Sequence, residues 1–132
     1  MNTKILMTSS SLVLGIAAVS ALFAPDVVLS WLHTSVTAQL SVMVQMMGAL
    51  YFAFALMNWT AKDSAIGGIY ARPVSLGNFG HFFVGASLLI RYQISATFNL
   101  STFIIMVIYV VFAALFYWLV FRATGISVNK SE

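Results

Sequence analysis

The sequence predicts an all-α integral membrane protein: a four-helix bundle with both termini cytoplasmic and a short interfacial helix between spans 1 and 2. Composition, four long apolar segments and the placement of the basic residues carry that expectation. Of 132 residues, 61% are apolar and 7% are charged, against about 45–50% and about 25% in an ordinary soluble domain. Mean hydropathy is +0.99. A spanning helix takes about 20 apolar residues, so four take about 80. The roughly 50 residues left over suffice for ends and connections only, which predicts one membrane domain over residues 1–132.

The apolar segments run over about residues 5–24, 36–59, 74–92 and 102–121. The first carries a polar patch, Thr8-Ser9-Ser10-Ser11, near its start. The third is the most polar, and the fourth is the cleanest apolar run and stops at Arg122. In lipid the backbone must satisfy its own hydrogen bonds, which leaves helices or a closed barrel. A barrel strand alternates in polarity, whereas Ile104 to Phe112 is apolar without alternation, so the spans are helices. Between the first two, Pro25-Asp26 suits a helix start. Val28, Trp31 and Leu32 then share a face, which predicts a short helix lying at the membrane surface.

Orientation follows from basic residues in short connections. With the N-terminus in the cytoplasm, Lys4, Lys62, Arg72, Arg122 and Lys130 are inside and Arg91 alone is outside. Trp31, Trp59 and Trp118 fall near span ends, where amphipathic rings settle. The expected location is therefore the inner (plasma) membrane. A rival reading makes the first segment a cleaved signal peptide, with Val19-Ser20-Ala21 as the better cleavage site. Retention is favoured because Pro25 follows Ala24 and Leu22 stands where a small residue is usual.

Composition also excludes chemistry. Without cysteine there is no thiolate metal site, iron–sulfur cluster or cysteine nucleophile. Asp26, Asp63 and Glu132 all lie outside the spans, so the intramembrane carboxylate common in proton-coupled pumps is missing. The net charge of +3 is accounted for by membrane topology and implies no nucleic-acid partner. His33 and His81 fall in opposite halves of the bilayer and cannot bracket one haem iron. No acidic or cysteine ligand accompanies His81, so neither a cofactor nor a metal is expected. Met43, Met46, Met47 and Met57 read as adaptable packing.

Polar residues inside the spans remain. Asn78 and His81 share a helical face with Gly77 and Gly85. Tyr51, Ala55, Asn58 and Lys62 form a second stripe. These faces predict a cluster of Asn58, Asn78 and His81 in the cytoplasmic half, rimmed by Arg72 and Tyr70 from the Gly67-Gly68 connection. One role for such residues is to hold helices together. The other is a ligand pocket open toward the cytoplasm. Arg91 is expected to snorkel to the headgroups, while Lys62, Tyr70 and Arg72 suit anionic ones.

The first span ending Phe23-Ala24-Pro25, the amphipathic stretch after it and Gln45-Met46-Met47-Gly48-Ala49-Leu50-Tyr51 in the second resemble the small bacterial four-helix membrane proteins of the DoxX-like type. The stretch Gly67 to Pro73 with Gly77 to Phe83 resembles uncharacterised proteins of the same kind. The resemblance covers about the first half of the chain and the span count. It implies the fold, and a link to sulfur- and quinone-related oxidation as a partner of other subunits. No catalytic residue of that group matches here. The leading expectation is a non-enzymatic accessory protein binding membrane lipid, a hydrophobic small molecule or a quinone, alone or with a homo-oligomeric or partner membrane subunit. The alternatives are an oligomeric transporter or channel subunit, against which the apolar fourth span counts, and the membrane subunit of a redox system.

Overall fold

The computed structural model describes residues 3–63, 71–96 and 98–122; these form five helices and no strand. They are α1 (Thr3–Phe23), α2 (Pro25–Trp31), α3 (Ala38–Ala61), α4 (Ala71–Ser95) and α5 (Leu100–Arg122). All but α2 are long and apolar enough to cross a membrane, which makes this a multi-pass membrane protein by length and composition. Helices α4 and α5 extend past their predicted apolar stretches at both ends, whereas α1 and α3 are offset from theirs by one or two residues. Ile16, Met46, Leu88 and Val111 are among many large apolar side chains that stand exposed, the surface expected of helices solvated by lipid rather than water.

Local chemistry sets the element boundaries. Ala24 leaves helical geometry (φ −137°, ψ 53°) and Pro25 opens α2, where its missing N–H costs nothing. Beyond Trp31 the chain reverses with His33 at φ 56°. The Thr34 N–H donates to the Leu29 carbonyl and the His33 N–H to that of Ser30, both at 3.0 Å, a Schellman closure. The Thr37 hydroxyl accepts from the Leu40 N–H at 3.2 Å and caps α3. Asn99 caps α5, its Oδ1 accepting from the Ser101 and Thr102 N–H groups at 2.9 and 3.3 Å. Its Nδ2 meets His33 Nδ1 at 3.1 Å, tying the start of α5 to the end of α2.

The long helices alternate in direction and pack as two close antiparallel pairs, α1 with α3 and α4 with α5. In the first pair, a Cβ on Gly48 would stand 2.9 Å from Ala21 Cβ and 3.2 Å from the Ala18 carbonyl oxygen, so only glycine permits that approach. Ser11 donates to the Ala55 carbonyl at 2.7 Å and Gln45 to that of Leu22 at 3.1 Å. The second pair is joined by rings: Phe82 stacks on Phe112 at 4.9 Å and on Phe116 at 5.8 Å. Far fewer backbone approaches join one pair to the other. Between the pairs Leu6, Met7, Leu14, Ala55, Phe82 and Phe116 form one buried core.

Candidate functional site

Two polar clusters bridge the pairs. In the first, Asn58 and Asn78 are fully buried and face each other amide to amide. Asn58 Nδ2 donates to Asn78 Oδ1 at 2.8 Å and Asn78 Nδ2 returns the bond to Asn58 Oδ1 at 2.6 Å. The second hydrogen of each amide is also used: Asn58 reaches Ser10 Oγ at 3.1 Å and Asn78 reaches the Val74 carbonyl at 2.8 Å. Ser10 in turn donates to the Met7 carbonyl at 3.0 Å. All four amide hydrogens and both amide oxygens are thus satisfied within α1, α3 and α4. Such a closed network links helices and leaves no polar group for a ligand.

The second cluster is different. Tyr109 Oη lies 2.9 Å from Tyr51 Oη and 3.2 Å from His81 Nε2, a chain that joins α3, α5 and α4. The His81 ring is held by aromatic neighbours, stacked on Phe54 at 4.9 Å and edge-on to Tyr51 at 5.6 Å. Tyr109 reaches across because α4 presents Gly85 there; a Cβ at that position would overlap the phenol ring. These three polar side chains border a groove of about 450 Å³ between α3, α4 and α5. Its other walls are Met47, Leu50 and Phe54 from α3, Val84, Leu88 and Leu89 from α4, and Ile105 from α5.

The groove sits at mid-helix depth. At 1.5 Å per residue, His81 is about 15 Å from the start of α4, and Tyr51 about 15 Å from the end of α3. Tyr109 is about 14 Å from the start of α5. The volume and lining match the common pattern of a ligand cleft, mostly apolar with a few convergent polar groups.

The sequence-based cluster of Asn58, Asn78 and His81 therefore divides in two. Asn58 and Asn78 meet as expected, but the third member of their network is Ser10. His81, although one turn from Asn78, belongs with Tyr51 and Tyr109, and its surroundings open at mid-depth rather than at a helix end. Arg72 stands exposed in the first turn of α4, six residues before Asn78. Tyr70 lies outside the described residues. The fourth span, read as purely apolar, supplies the Tyr109 hydroxyl at the centre of the second cluster. Nothing in its sequence separates Tyr109 from a ring buried for its area alone. Ser10 was visible only as part of a serine patch, with no sign of which hydroxyl points inward.

Among the described residues, no three His, Asp or Glu side chains come together in a way that could hold a metal ion. No family model, curated protein or solved structure matches this chain.

Proposed function

We propose that this protein holds a neutral hydrophobic molecule within the membrane, in the groove between α3, α4 and α5, and acts as a binding or accessory component rather than as an enzyme in its own right. The observation that carries the reading is an apolar groove of about 450 Å³ whose polar side chains among the described residues, Tyr51, His81 and Tyr109, converge at mid-helix depth. An apolar body gains by burial there, and the polar cluster adds orientation. Asn58, Asn78 and Ser10 act beside it as the fastening that keeps the two helix pairs in register.

The same reading orients the chain with its termini in the cytoplasm and assigns it to the inner membrane. It is supported by Lys4, Lys62, Arg72 and Arg122 lying at one set of helix ends and Arg91 near the other. Helix α2 would then lie along the outer surface.

Native mass spectrometry of protein purified in an alkyl maltoside tests the groove. Wild type is expected to carry a small hydrophobic adduct. Val84→Trp, which fills the groove, should abolish it, whereas Val111→Trp, on an exposed position outside the groove, should not. An adduct retained by Val84→Trp, or absent from wild type, overturns the reading.

A further inference from the structure

We infer that the occupant of this groove is a neutral molecule whose apolar body carries a hydrogen-bond-accepting oxygen, a carbonyl or ether, held by the spare donor of the Tyr51–Tyr109–His81 chain; the inference rests on the groove reading above. It follows from counting hydrogens. Two phenols and a neutral imidazole bring three donors, and the chain contains two hydrogen bonds. One donor is therefore left over in every arrangement. If His81 carries its proton on Nε2 and donates to Tyr109, the spare donor is the Tyr51 hydroxyl when Tyr109 donates to Tyr51, or the Tyr109 hydroxyl when Tyr51 donates to Tyr109. If the proton is on Nδ1, Tyr109 donates to His81, Tyr51 donates to Tyr109, and the spare donor is His81 Nδ1–H. All three residues line the groove.

A spare donor facing an apolar space is costly, and more so than an unused lone pair on a hydroxyl that already has a partner. An acceptor oxygen on the occupant removes that cost. Among the described residues no charged side chain lines the groove, so an ionised group would be desolvated without compensation; the occupant is neutral. Depth narrows the class further. The ester oxygens of a phospholipid stay near the edge of a hydrocarbon core about 30 Å thick, roughly 15 Å from the chain's mid-helix position. The acceptor must therefore sit within the apolar body, unlike that of a phospholipid anchored by its headgroup.

The test uses two probes of equal length, 8-pentadecanone labelled with ¹³C at the carbonyl and n-pentadecane, titrated into the intact protein in an alkyl maltoside, which contains no carbonyl. The ketone should bind about three- to tenfold more tightly than the alkane, the worth of one hydrogen bond. Its ¹³C=O stretch should move to lower frequency on binding. The triple variant Tyr51→Phe/His81→Phe/Tyr109→Phe, which carries none of the three donors, should lose the preference for the ketone, whereas a chain shortened by one residue still keeps a spare donor. The infrared shift in the wild-type protein decides the matter even if a variant fails to fold. Equal binding of the two probes with an unshifted carbonyl overturns the acceptor assignment and leaves the groove standing. If neither probe binds, the groove reading itself fails and this inference fails with it.

Discussion

Asn58 and Asn78 are the residues whose individual cost is best defined. The two exchange a pair of hydrogen bonds, so removing one strands part of a buried amide. Asn58→Leu or Asn78→Leu should destabilise the bundle by about 1–2 kcal/mol. The double variant should cost clearly less than the sum of the two, because it leaves no orphan. Detergent unfolding of the four species closes the cycle, and strict additivity would count against the pairing. Their role was half legible in the sequence. Two asparagines inside apolar spans must find partners, and a short connection between the spans brings the end of one and the start of the next together. What periodicity does not report is azimuth: His81 shares a nominal face with Asn78, yet the rotation of α4 turns it toward Tyr51 and Tyr109.

At the scale of helices, the closest contact is set by the absence of a side chain. Gly48→Ala would press a methyl against Ala21 Cβ and the Ala18 carbonyl. Since a backbone atom is among the neighbours, α1 and α3 must separate, at an expected cost of about 1–3 kcal/mol; a thermal melt of the variant in detergent measures it. The far end of the same pair is closed electrostatically, with Lys4 Nζ 2.7 Å from Asp63 Oδ1. The hydrogen bond from Lys4, then the charges of Lys4 and Lys62, hold the Asp63 carboxyl below its ordinary value. A depressed folded value means the contribution is present above that ordinary value, about 4, and fades as pH falls through the folded one. Both groups are exposed, so the effect is small and weakened by salt. Asp63→Asn should lower Tm slightly at pH 7 and progressively less as pH falls well below the ordinary carboxylate value, and a difference undiminished by acid would contradict the ion pair. The capping roles of Thr37 and Asn99 emerged only in the structure, whereas the start of α2 at Pro25, whose backbone chemistry acts locally, was legible from sequence. The second role of Asn99, its contact with His33, joins residues far apart in the chain and was not.

For the whole molecule, the native absence of cysteine gives a direct route to topology. Single cysteines placed at Lys130 and at Arg91 should label from opposite faces with a membrane-impermeant maleimide in intact cells. Arg91→Cys alone should react from outside, and labelling of both from one face would reject a crossing by α5 between them. The span count, the helical class and the alternation of helix direction were all determined by sequence alone. The physical reason is that lipid imposes its demands residue by residue along the chain: about 20 apolar residues per crossing, internally bonded backbone and charges kept to the ends. Only the tertiary structure decided how the helices pair, α1 with α3 and α4 with α5, and where the polar groups between them converge. That depends on each helix's rotation about its own axis. In spans apolar on every side the sequence carries little amphipathic signal to set it, and small local contacts such as Gly48 on α1 and Gly85 under Tyr109 settle it instead. A tyrosine in an apolar run and a serine in a polar patch thus became anchors between the helix pairs through packing that no linear pattern encodes.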